Sequence, residues 1–109
     1  MNTKEHLEKS CKVWIEELEK IGKGEIEDLE EWINDNVLEI QRLQSLSNGK
    51  WETTEYIFLV GFGGPNIWID GAEKKVVGYW GMDKAEMPFT QLAREGYEKL
   101  FEYLNELEE

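Results

Sequence analysis

Between residues 25 and 39 the chain carries seven carboxylates, Glu25, Glu27, Asp28, Glu30, Glu31, Asp35 and Glu39, and neither lysine nor arginine. Ile26, Leu29, Ile33, Val37 and Ile40 are interleaved with them at steps of three or four residues. That spacing gathers the apolar side chains on one stripe of a helix and leaves the acids on the remainder, which predicts an amphipathic helix over residues 25–46. Glu27, Glu31, Asp35 and Glu39 recur every fourth residue and would stack in a single row, with Asp28 beside it, Leu38 inside it and Trp32 at its border. Like charges so placed repel by about 0.2–0.5 kcal/mol per pair, so the row costs stability and invites a functional explanation.

The first predicted helix, residues 3–21, makes the contrast. Leu7, Cys11, Trp14, Leu18 and Ile21 form its apolar stripe, and Glu5, Glu8, Glu16 and Glu19 each precede a lysine by four residues. Acid before base at that spacing is the favourable order, so this helix is expected to neutralise itself. The same chain leaves the second helix uncompensated.

With 24 acidic and 12 basic residues among 109, the net charge is -12. A single domain of this size and sign is expected to bind neither bare nucleic acid nor an anionic membrane, whose main attraction is for cations; a basic protein suits it better. The lone cysteine, Cys11, excludes an internal disulfide within this sequence and a multi-cysteine metal site. No apolar run approaches the ~20 residues of a membrane-spanning helix, and the first residues show no apolar signal segment, so a cytoplasmic location is expected.

Three strands are predicted downstream: a continuous apolar run at 56–60, an alternating one at 66–70, and KVVGYW at 75–80. The four residues 71–74 are the length of a tight hairpin, which makes the sheet an antiparallel meander. After a loop at 81–87, Pro88 is placed in the first turn of a third helix that runs to the C-terminus. Its expected buried row is Phe89, Leu92, Ala93, Gly96, Tyr97, Leu100, Leu104 and Leu107. The expected fold is α+β with element order ααβββα, a three-stranded antiparallel sheet packed against helices.

Glu95, Glu98, Glu102, Glu106 and Glu109 form a second acidic ridge, opposite the apolar row of the third helix. Seven acids over four turns of the second helix give roughly one charge per 3.5 Å, close to the ~3.4 Å spacing of phosphates along a DNA strand. Either ridge could equally be a solvated face that keeps the chain soluble.

Other candidates are weaker. GFGGPN at 61–66 lacks both the last glycine of GxGxxG and the GK[ST] of a P-loop, and it leads into a strand, so it reads as a tight connection. His6 and Cys11 lie about 140° apart around a helix and cannot act together. No residues suggest catalysis, a cofactor or a metal site. Trp68, Tyr79 and Trp80, on adjacent strands, are expected mostly in the core, with one of them a possible contact residue.

GGPNIWID at 63–70 followed by VVGYWG at 76–81 resembles a group of short acidic proteins carried by phages and other mobile elements. In size, charge and layout the chain is also similar to the anti-CRISPR inhibitors of bacterial defence nucleases. The resemblance implies a non-enzymatic inhibitor acting in the bacterial cytoplasm. It would occupy the cationic groove of a nucleic-acid-binding effector, such as a CRISPR effector, as a partial nucleic-acid mimic. The residues expected to carry this are Glu27, Asp28, Glu31, Asp35 and Glu39, with Leu38 or Trp32 as an apolar anchor. The alternative is an antitoxin, immunity or adaptor protein that binds its partner through the aromatic sheet.

Overall fold

A computed structural model describes residues 2–108. Its elements run α1 Thr3–Gly22, α2 Leu29–Asn36, β1 Glu39–Ser47, β2 Lys50–Gly61, β3 Asn66–Asp70, β4 Lys75–Trp80, β5 Asp83–Pro88 and α3 Gln91–Leu107. The five strands form one antiparallel meander in the order β1-β2-β3-β4-β5. The α+β class and the antiparallel meander are as expected; the three-stranded count and the order ααβββα are not.

Both extra strands have local causes. The predicted helix over 25–46 stops at Asn36, where Asn34, Asp35 and Asn36 stand in succession. All three favour side-chain hydrogen bonds to nearby backbone over helix, and the Asn36 amide donates to the Trp32 carbonyl at 2.8 Å. The chain then turns extended at Val37 and enters β1. Asn48 and Gly49, with φ of 52° and 77°, close a two-residue hairpin from β1 to β2, with Ser47 opposite Lys50. An Asn-Gly pair is the strongest short-range hairpin signal, and here it outweighs a helix-like apolar spacing.

At the other edge, Gly81 and Met82 turn β4 into β5, with Trp80 opposite Asp83. Residues 83–88 contain few good strand formers, but Ala85 and Met87 alternate toward the core while Lys84 and Glu86 point away. Pro88 ends this strand instead of starting a helix, and an edge strand tolerates its missing N–H. α3 begins at Gln91 behind the N-cap Thr90, whose Oγ1 accepts from Ala93 N–H at 3.1 Å and donates to Glu19 at 2.7 Å.

One core lies between the helices and one face of the sheet. α1 supplies Leu7, Cys11, Ile15, Leu18 and Ile21, the sheet supplies Tyr56, Phe58, Val60, Ile67, Ile69, Val76 and Ala85, and α3 supplies Ala93, Tyr97 and Leu100. Phe58, Ile69, Val76 and Met87 are register neighbours across four strands, which defines the covered face. Leu107, expected in the buried row of α3, is exposed because it lies in the last turn. α1 and α3 cross at Gly22 and Gly96, where a Cβ on either glycine would run into the backbone of the other helix.

Candidate functional site

α2 begins at the N-cap Asp28, whose Oδ1 accepts from Glu31 N–H at 3.0 Å. Residues 25–28 are therefore a non-helical arm leading out of α1, held at its start by Glu25 N–H donating to the Lys20 carbonyl at 2.9 Å. Ile26 and Leu29 turn inward and are half-buried against the core. Glu25, Glu27, Glu30 and Glu31 remain exposed.

This arrangement breaks the expected four-acid row. Only Glu31 and Asp35 stand on the helix; Glu27 precedes the cap, and Glu39 opens β1 opposite Leu59. The one-phosphate spacing along four turns lapses with it, because α2 has only eight residues. Trp32 is buried: it meets Trp14 edge-on at 6.3 Å, and its indole N–H donates to Glu17 at 3.3 Å. It cannot anchor a partner. Leu38, 64% exposed, lies in extended chain beyond the helix with its N–H bonded to the Leu59 carbonyl at 2.8 Å, and so is not within an acidic helical face.

What the structure assembles instead is an acidic surface made of two adjoining hollows. One, about 290 Å³, is bounded by Glu25, Glu27, Asp28, Glu31 and Asp35. The other, about 450 Å³, lies between the arm and α3 and is bounded by Glu27, Glu102, Glu106 and Lys99 over Ile26, Leu29 and Tyr103. Ile26 and Glu27 belong to both. The two acidic ridges of the sequence thus meet at Glu27, through Glu102 and Glu106 of the second. Glu95 and Glu98 are exposed on α3 but line neither hollow, and Glu109 lies outside the described residues.

Little in the surface offsets this charge. None of its seven carboxylates forms an ion pair among the described residues. Lys99 directs its ammonium to the Ile21 and Gly22 carbonyls at 3.1 and 3.2 Å, where it caps the C-terminal end of α1. The Tyr103 hydroxyl has its pKa raised by desolvation first and then by the Glu30 and Asp28 charges, so it is neutral and available as a donor.

The chain matches no protein-family model, no curated protein and no solved structure.

A second surface lies on the sheet face opposite the helices. Ile57, Trp68, Val77 and Tyr79, with Gln41 and Asp70, line a shallow hollow of about 210 Å³ there. Tyr79 is 42% exposed and Trp68 half-buried, so these two are not core residues as expected. Trp80 is also exposed but takes the opposite face of β4, beside Gly64.

The remaining sequence candidates keep structural roles. The 61–66 loop connects β2 to β3, with Gly63 N–H donating to the Asn66 side chain at 2.8 Å. Cys11 is buried with its thiol pushed up to about 11, by burial first and Glu8 second, so it is a poor nucleophile at neutral pH. Among the described residues no group of three or more His, Cys, Asp or Glu is placed to hold a metal ion. Among the described residues no helix is long and apolar enough to cross a membrane.

Ile26, Leu29, Lys99 and Tyr103 are the site residues that sequence reasoning missed. Their signal was present only in part: Tyr103 sits between Glu102 and Glu106 on α3, but its proximity to the arm depends on how the helices cross.

Proposed function

We propose that this chain is a non-enzymatic inhibitor of the anti-CRISPR kind, which binds the cationic nucleic-acid-recognition surface of a defence effector through its acidic surface. The observation that supports this most is the junction at Glu27, where carboxylates from three segments converge over an apolar floor without a compensating ion pair among the described residues. A groove built to neutralise phosphates would release counterions on meeting such a surface, as it does on meeting DNA. The floor of Ile26, Leu29 and Tyr103 would add the apolar contact that distinguishes a specific complex from loose charge pairing. The mimicry is then of charge rather than of a phosphate path.

The test is affinity capture from bacterial lysate with the wild type and the Glu27→Lys, Glu102→Lys double variant as baits, compared by quantitative mass spectrometry. Both positions are exposed, so the thermal melt should hold. The expected result is that strongly basic nucleic-acid-handling proteins are enriched by the wild type, lost by the variant, and released as salt rises from about 50 to 200 mM. An unchanged set of captured proteins would remove the proposal.

The second reading, an antitoxin, immunity or adaptor protein that binds through its sheet, is favoured by Trp68 and Tyr79 on a face that no helix covers. Loss of capture on Tyr79→Lys, with the charge variant still active, would select it.

A further inference from the structure

We infer that the chain self-associates as a two-fold symmetric dimer by pairing β1 edge to edge with β1 of a second copy, joining two five-stranded sheets into one.

The two edges of the sheet are built differently. β5 is short and carries Asp83, Lys84, Glu86 and Pro88; charges and a residue without an N–H discourage a further strand. β1 is nine residues long, every one exposed, and among the described residues β2 is its only strand neighbour, the end of α3 reaching it only at Arg42 and Gln44. Ile40, Leu43 and Leu46 on it are 39%, 37% and 58% exposed. Its single cation, Arg42, is engaged by Glu108 at 2.8 Å. The irregularity in the β1–β2 pairing leaves the extra residue, Thr54, on β2, so β1 itself runs without an insertion.

The occupant is argued from the strand's complementarity to itself. Alternate residues share a face, so a dyad perpendicular to the sheet must centre on a residue and pair positions of equal parity. Centred on Leu43, the pairing sets Ile40 against the second copy's Leu46, Arg42 against Gln44, Gln41 against Ser45 and Glu39 against Ser47. No like charges meet, each apolar residue finds an apolar neighbour, and all nine residues are used. Centring on Arg42 sets two guanidiniums side by side; centring on Gln44 leaves Leu46 opposite Arg42 and drives Ile40 against the turn residue Asn48. Cross-strand neighbours of matched character stabilise a pair and like charges oppose it, so the Leu43 register is the one selected. Both sets of helices then lie on the same side of the joined sheet.

Two copies of a chain with net charge -12 repel, so the dimer strengthens as salt rises. That sign is opposite to the one expected at the acidic surface, and the dimer does not rest on the function proposed for that surface.

Single cysteines test the register on the full chain; the buried Cys11 thiol stays in place because it is inaccessible to a second copy. At the dyad, paired Cα atoms are about 4.5–5.5 Å apart, within disulfide range, whereas two copies of residue 46 are separated by six residues of strand, roughly 20 Å. Under mild oxidation Leu43→Cys is expected to give a covalent dimer and Leu46→Cys none. A mixture of Ile40→Cys and Leu46→Cys is expected to cross-link as a heterodimer. Equal cross-linking at 43 and 46, which random collision would give, overturns the proposal, as does cross-linking at neither. Sedimentation velocity must agree: Leu43→Lys, which sets two ammonium groups together, should return the wild-type dimer to monomer. A wild type monomeric at all protein concentrations in physiological salt overturns it too.

Discussion

The Tyr97 hydroxyl donates to the Glu55 carboxylate at 2.6 Å and accepts from the Tyr56 N–H at 2.9 Å, which ties α3 to β2 through one side chain. Lys74 completes the group, with its ammonium 3.0 Å from Glu55 and 4.6 Å from the Tyr97 ring centroid. Tyr97→Phe removes the oxygen and strands a buried N–H, for which the expected cost is about 1–3 kcal/mol. Tyr56 is the internal control. Its hydroxyl is buried without a hydrogen bond among the described residues, although Glu108 stands near enough to help push its pKa, raised first by burial, up to about 12. Tyr56→Phe should therefore shift stability by less than about 0.5 kcal/mol. Thermal melts of the two variants decide it; equal losses would refute the assignment.

Gly96 sets the helix crossing. By helix propensity alone, Gly96→Ala should stabilise α3 by about 0.8–1 kcal/mol. The added methyl, however, would run into the Leu18 carbonyl, which is backbone and cannot swing away. Sterics decide the sign, and the expected net effect is a loss of about 1–3 kcal/mol in denaturant unfolding.

Alkaline conditions should loosen the fold. Burial is the first cause of the raised pKa at Cys11, from 9.0 to about 11, at Tyr56, from 10.0 to about 12, and at Tyr97, higher still. Each group favours its neutral form when folded, so its contribution is complete below the unfolded value and is lost as pH rises toward the folded one. The melting temperature should hold to about pH 9 and fall across about pH 9–12. Cys11→Ala should blunt the first part of that fall, measured relative to its own value at pH 7.

The first helix and the central β2–β3–β4 meander were legible because each rests on a local signal: the α1 stripe from Leu7 to Ile21, the apolar run at 56–60, and the four-residue turn at 71–74. β1 was not, because Val37, Ile40, Leu43 and Leu46 repeat every third residue and imitate a helix, while the signal that overrides them lies at Asn48-Gly49, beyond the segment itself. β5 was hidden by its charged composition. The acidic site was half legible. The sequence exhibits both ridges, but that Glu102 and Glu106 approach Glu27 follows from the α1–α3 crossing at Gly22 and Gly96, a long-range property that no window of sequence contains.

Gly49 bears on that hairpin. Its φ of 77° is a conformation that side chains with a Cβ resist, so Gly49→Ala should cost about 1–2 kcal/mol and fray β1 from its turn end. Hydrogen exchange of the β1 amides would show it as faster exchange near Ser45 to Ser47, while the α1 core amides change little.

Glu27 and Asp28 are sequence neighbours in the same hollow, yet losing the side-chain oxygen should cost stability only at Asp28. Glu27 is exposed, forms no ion pair among the described residues and sits among like charges; Glu27→Gln relieves repulsion and should leave stability unchanged or raised by up to about 0.5 kcal/mol. Asp28 bonds Glu31 N–H as the N-cap of α2, and Asp28→Ala forfeits that bond at an expected cost of about 1 kcal/mol. Asp28→Asn keeps the capping oxygen while removing the charge, so it should recover most of the loss. If the alanine and asparagine variants melt together, the cap is not what Asp28 contributes. If they separate as expected, Asp28→Asn and Glu27→Gln are the two substitutions that reduce the charge of the acidic surface without unravelling the short helix that presents it.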